Sequence, residues 1–188
     1  VGEWVLKKAC KEIKDWNTQY NKNISVAINL SALQFRRSGF LEELLVILAE
    51  TELPYELLKL EVTESMLIAD TDTSLTVLRE VRALGVKVSV DDFGTGYSSL
   101  SYLRYLPIDE VKLDRNFIKY IIENKKDEAI VEAIIIMAHN LDLKVVAEGV
   151  EIYQQAKWLI DHDCNYLQGF YYAKPAPLDQ LKLPVVPQ

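Results

Sequence analysis

Short apolar runs of strand length alternate with longer amphipathic runs of helical period from one end of the chain to the other, which leaves few folds open. The alternation is that of repeated βα units, which build a parallel sheet covered by helices. Strands are expected at residues 25–30, 57–62, 86–91, 110–113, 144–147 and 166–170. Helices are expected at 2–16, 40–51, 73–84, 98–103, 127–140 and 152–161, the first with Trp4, Val5, Ala9 and Ile13 on one stripe. Gly85 directly follows a periodic run, where a left-handed helix cap is expected. No Gly/Ser-rich linker or shift in composition divides the sequence, so residues 1–188 read as one domain. The fold class is α/β, a (β/α)8 barrel. Six strands fall short of the eight such a barrel needs, and a full one takes about 250 residues. The expectation is an N-terminally incomplete barrel.

Composition narrows the function. Acidic residues number 28 against 21 basic ones, a net charge of −7, which argues against a broad surface gripping duplex nucleic acid. An anionic ligand would need local positive charge. Cys10 and Cys164 lie far apart without C-x-x-C spacing, so neither a disulfide framework nor a zinc knuckle is supported. With no long apolar stretch and no secretory signal pattern, the expected location of this domain is cytoplasmic, an anchor upstream being left open.

Nearly every expected strand ends on a polar or metal-competent residue: Asn29, Glu61, Asp91 with Asp92, Lys112, Glu148 and Gln168. In an alternating β/α barrel these ends share one rim, where active sites are built. Any single one of them has a plainer reading as a helix cap or a solvated turn, and Asp91-Asp92 before Gly94 can be a simple turn. The joint pattern is what those readings explain poorly. A carboxylate-rich rim is self-repelling unless cations sit in it, and oxygen donors without His or Cys favour Mg²⁺ or Mn²⁺. His139 and His162 have no ligand-spaced partner and are assigned to packing or surface roles. The run at 134–137 reads as the buried face of a helix, and Phe170, Tyr171 and Tyr172 as the end of a strand in the barrel wall.

The segments Val26-Ala-Ile-Asn-Leu-Ser-Ala-Leu-Gln-Phe35, Leu60-Glu-Val-Thr-Glu-Ser65, Asp91-Asp-Phe-Gly-Thr-Gly-Tyr-Ser-Ser-Leu100, Val111-Lys-Leu-Asp114, Val146-Ala-Glu-Gly-Val-Glu151 and Gln168-Gly169 resemble the EAL domain family, in the family's order. The family comprises bacterial phosphodiesterases that cleave cyclic di-GMP to linear pGpG, on a modified TIM barrel whose first strand is antiparallel. The resemblance implies a site with Mg²⁺ or Mn²⁺, two ions in all. Asn29, Glu61, Asp91, Asp92 and Glu148 would be the metal residues. Lys112 would position the attacking water, with Glu148 and Asp92 beside it in catalysis. Gln34 and Gln168 would meet the substrate, and Glu64 would hold the loop after Asp91-Asp92. A homodimer through the segment from Phe93 to Tyr105 and regulatory domains upstream are further expectations.

The family's name motif, Glu-Ala-Leu on the first strand, is absent from these 188 residues, as is the neighbouring arginine that binds substrate phosphate. The retained rim favours a fragment of an enzyme. The alternative from another class is a catalytically inactive cyclic di-GMP receptor or protein-interaction module, which would not need the acidic set in full.

Overall fold

A computed structural model describes residues 2–69, 71–94 and 103–180. Its centre is one six-stranded sheet made of β1 (Val26–Asn29), β2 (Leu58–Thr63), β3 (Lys87–Phe93), β4 (Glu110–Leu113), β5 (Lys144–Ala147) and β6 (Tyr166–Leu167). Strand order is chain order, and every neighbouring pair is parallel. The connections carry α1 (Gly2–Tyr20), α2 (Ala32–Phe35), α3 (Phe40–Thr51), α4 (Glu64–Ala69), α5 (Thr71–Ala83), α6 (Arg115–Lys119), α7 (Lys125–Asn140) and α8 (Tyr153–Asp161). The result is the curved wall of a β/α barrel.

The strands alternate because the two faces of the wall differ. Leu58, Leu60, Val62, Val88, Val90, Val111, Leu113, Val145 and Ala147 point outward and are buried against the helices. Lys59, Glu61, Ser89, Glu110 and Lys112 occupy the alternate, lumen-facing positions. Burying each large outward side chain contributes about 1.5–3 kcal/mol. The outer core, rather than the polar lumen, therefore holds the wall together.

Residues 110–113 and 144–147 form strands as expected, and the remaining strands shift by a residue or two except β6. That strand stops at Leu167 rather than 170 because the chain turns at Gly169, where a Cβ would collide with the backbone O and N of Val150. Phe170, Tyr171 and Tyr172 are consequently exposed instead of lining the wall. Helix α1 buries Leu6, Cys10, Ile13 and Asn17, a stripe rotated from the expected one, and leaves Trp4 and Val5 exposed. It also runs on to Tyr20, and Asn17 ties it to the segment just before β1: its Nδ2 donates to Ile24 O at 2.8 Å and its Oδ1 accepts from Ile24 N at 2.9 Å. Gly85 does end its helix in the left-handed region, with φ +95°. Of the helix expected at 98–103, all but Leu103 lies outside the described residues.

Helices α2, α4 and α6 were not anticipated. At four to six residues they are too short to show a helical period. Each follows a strand end, and α2 and α6 begin at side-chain caps, Ser31 and Asp114. His139 bonds Asn165 Oδ1 at 3.0 Å and His162 stacks on Trp158, so both histidines serve packing. In the run at 134–137, Ile135 is buried whereas Ile136 is exposed. No helix among the described residues is long and apolar enough to cross a membrane.

Candidate functional site

The sheet register brings the strand ends together. Asn29 pairs with Glu61, Thr63 with Asp91, and Lys112 with Val146, two residues before Glu148. At the centre stands Lys112, whose side chain is only 5% exposed. Its Nζ lies 2.9 Å from Glu61 Oε2, 3.1 Å from Asp91 Oδ1 and 2.8 Å from Glu148 Oε1. An ammonium has three protons, so all of them are engaged. Three acids from β2, β3 and the end of β5 thus close on one lysine from β4.

Asp91 and Asp92 are consecutive and would point to opposite faces of a regular strand. The register of β3 against β4 slips between Val90 and Phe93, where three steps on β3 span two on β4. This bulge carries Asp92 at φ +54°, in the left-handed region that Asp tolerates better than most residues. Asp91 Oδ1 accepts the Asp92 N–H at 3.1 Å, and Gly94 continues the turn at φ +90°. Glu64, at the start of α4, accepts the Gly94 N–H through Oε2 at 3.2 Å and is itself almost fully buried.

The electrostatics follow from crowding. Burial works against the Lys112 cation, but the hydrogen bonds it donates to Glu148 and Glu61 prevail and hold its pKa above the usual lysine value. Burial raises the Glu148 pKa, with help from the charges of Asp91 and Glu61 and against the pull of Lys112. Burial, Asp91 and Asp114 likewise raise that of Asp92. One lysine does not balance this many acids, and the remaining negative potential suits a cation.

The donors are carboxylates and the Asn29 amide, hard oxygen ligands of the kind Mg²⁺ and Mn²⁺ take. As placed, no group of three His, Cys, Asp or Glu side chains among the described residues surrounds a common ion position. The point that Glu61, Asp91 and Glu148 share is held by Lys112 Nζ. The donor chemistry fits a divalent ion, and the lysine is the cation those acids surround.

Gln168 follows β6 and is exposed, but its backbone is fixed: its N–H donates to Ala147 O at 2.8 Å and its carbonyl accepts from Val150 N at 3.0 Å. Gly149, next to Glu148, has φ +70°, and a Cβ there would come 2.5 Å from Arg115 Cβ. The segments bearing Glu148 and Gln168 are therefore locked to each other by backbone contact. Gln34 sits on α2, where its Oε1 accepts from Ser31 N at 3.3 Å and its N–H donates to Ser31 Oγ at 3.3 Å, a capping box to which Ser31 Oγ adds a bond to Oε1 at 2.7 Å. That amide oxygen is already engaged within the protein. The segment 93–105 is described only at 93, 94 and 103–105.

The profile of the EAL domain matches residues 1–175. The chain belongs to the EAL domain family. It is 45% identical over 181 residues to the bifunctional diguanylate cyclase/cyclic di-GMP phosphodiesterase MucR of Pseudomonas aeruginosa, covering 96% of this chain and 26% of that protein. It is 42% identical over 182 residues to the cyclic di-GMP phosphodiesterase NbdA of the same organism, covering 97% and 23% respectively. The chain thus spans about a quarter of the length of these curated relatives. Among solved structures, the PaMucR phosphodiesterase in complex with c-di-GMP superimposes with a TM-score of 0.90 at 45% identity, over 95% of this chain and 72% of that one. EAL structures share a TIM-barrel-like fold, and the parallel wall described above is its counterpart.

Two features of the EAL site were not read from the sequence. One is the closure of the acids on Lys112. The other is a second charged pair, Lys59 and Glu110, two positions earlier on the same strands and joined at 2.7 Å. The signal for the second was present: Lys59 with Glu61 and Glu110 with Lys112 each stand two apart and share a strand face.

Proposed function

We propose that this EAL domain belongs to a phosphodiesterase that hydrolyses cyclic di-GMP to linear pGpG with Mg²⁺ or Mn²⁺. The observation that carries the reading is the buried Lys112 ammonium held by Glu61, Asp91 and Glu148 at the strand ends. Relatives named for cyclic di-GMP hydrolysis and a homologue solved with the dinucleotide support the substrate.

Asn29, Glu61, Asp91, Asp92 and Glu148 would hold the metal, two ions by family resemblance, which would neutralise charge developing on the phosphate. The rest of the chemistry falls to the chain's own groups. A water oxygen bonds to phosphorus as the P–O3′ bond breaks, and the departing 3′-oxygen takes a proton from solvent water to become the hydroxyl. Glu148, at the end of β5 and 2.8 Å from Lys112 Nζ, is the carboxylate suited to take the water's proton. Lys112 holds Glu61, Asp91 and Glu148 around that water and contributes positive charge beside the phosphate. Glu64 holds the turn at Gly94 that presents Asp91 and Asp92. Gln168 would meet the substrate, as would Gln34 through the amide nitrogen of its capped side chain. Homodimerisation through the segment 93–105, a cytoplasmic location and upstream regulatory domains, such as the cyclase in MucR's name, complete the proposal.

The test uses the full-length protein, incubated with cyclic di-GMP in Mg²⁺, in Mn²⁺ and in chelator, with products separated by chromatography. The expected result is pGpG in metal and none in chelator. Intact dinucleotide under every condition would overturn the reading, and binding without turnover would make the domain a receptor.

A further inference from the structure

The inner side chains of a β/α barrel are stacked in layers, each supplied by alternate strands and normally filled by branched apolar residues. Here the inner positions beneath the site on β2, β4 and β6 are Lys59, Glu110 and the half-exposed Tyr166. Lys59 Nζ lies 2.7 Å from both oxygens of Glu110, and 5.6 Å from the centre of the Tyr166 ring. The Glu110 side chain is 5% exposed and that of Lys59 22%. The same two strands supply the pair above it, with the signs exchanged: Glu61 on β2 meets Lys112 on β4 at 2.9 Å. Both pairs reach across the intervening strand β3, over Ser89, which is fully buried.

Charges of opposite sign therefore neighbour each other along each strand as well as across the lumen. Glu110 lies below the Lys112 ammonium and Lys59 below the Glu61 carboxylate. A buried ion pair is a weak source of stability, and a well-packed apolar pair often replaces one without loss. The bidentate geometry instead constrains position, because both oxygens of one side chain address a single nitrogen. On these grounds we infer that Lys59 and Glu110 are a positioning pair, which sets the reach and orientation of Lys112 toward Glu61 and Glu148 without touching substrate. The inference deepens the hydrolase reading and rests on it for its kinetic consequence.

The experiment compares full-length wild type with Lys59→Met/Glu110→Met, Lys59→Arg and Lys112→Met. Thermal unfolding shows whether each variant folds. Steady-state kinetics with cyclic di-GMP give kcat and KM separately. In the metal-free protein, the ¹⁵Nζ resonance of Lys112, assigned by its loss in Lys112→Met, reports the lysine directly. The double variant is expected to melt near wild type, lose roughly 10-fold in kcat with little change in KM, and shift or broaden the Lys112 resonance. Lys59→Arg, which keeps the cation, is expected to retain most of both signals. A double variant with wild-type kcat and an unmoved Lys112 resonance overturns the inference, as does one whose kinetic loss is matched only by a fall in melting temperature. If the wild type itself fails to hydrolyse cyclic di-GMP, the function reading fails, while the resonance still decides whether the pair positions Lys112.

Discussion

Replacing Lys112 by Met removes the charge but keeps a chain of similar bulk, so the change tests electrostatics more than packing. Wild-type Lys112 donates to three carboxylates at 2.8 to 3.1 Å, and its side chain is 5% exposed. Its loss leaves Glu61, Asp91 and Glu148 facing one another without their shared cation. Removing one member of a buried pair typically costs about 3–5 kcal/mol. At about 2–4 °C per kcal/mol for a domain of this size, the melting temperature in chelator should fall by roughly 6–20 °C. Mg²⁺ or Mn²⁺ should raise the variant's melting temperature by more than the wild type's, because the variant has more unneutralised charge for the ion to meet. The folded-state pKa of Lys112 lies above its unfolded value of 10.5, so the contribution of the lysine is complete at neutral pH. It is lost only as pH rises through the folded value. The gap between wild type and variant should therefore hold from pH 7 to pH 9, conditions to be covered by differential scanning calorimetry. A variant within about 2 °C of wild type in chelator would show that the acids do not need the lysine, and the reasoning would fail.

Gly169→Ala should destabilise the protein by about 1–3 kcal/mol, because the new Cβ runs into the Val150 backbone rather than a side chain that can swing away. Chemical denaturation checks this, and an unchanged midpoint would contradict it. Burial pushes both Cys10 and Cys164 up to about 11, which leaves about one thiol in a thousand ionised at pH 8. Iodoacetamide at pH 8 should leave the peptides bearing them unmodified in the folded protein and label both in guanidinium, as read by mass spectrometry.

What could be read in advance followed from periodicity. Glu110-Val-Lys-Leu carries the alternation of a wall with unlike faces, Lys144-Val-Val-Ala is a short apolar run, and turn residues bound both. The buried stripe of α1 departs from the hydropathy pattern because Trp4 and Val5 are apolar yet exposed, while a polar residue, Asn17, is buried to bond the Ile24 backbone. A hydropathy pattern cannot register a side chain buried for its hydrogen bonds. The polar strand ends were legible as a set, since each ends an apolar run. Their mutual arrangement was not, because it depends on the bulge at Asp91-Asp92 and on which acids reach Lys112 across neighbouring strands. The bond from Ser31 Oγ to the Gln34 amide oxygen was not legible either, because the four-residue helix that brings the two together shows no period.

Because strand order equals chain order, the wall can assemble in the direction of synthesis, each βα unit docking on an edge already made. The charges of the site would then arrive in sequence. Glu61 and Asp91 leave the ribosome first, as acids without a partner; Lys112 follows 21 residues after Asp91, and Glu148 comes last. A nascent chain halted after β3 would carry both acids without the ammonium that closes on them. One halted after β4 would already hold its own counter-ion, so the lysine serves the folding chain before it serves the finished site.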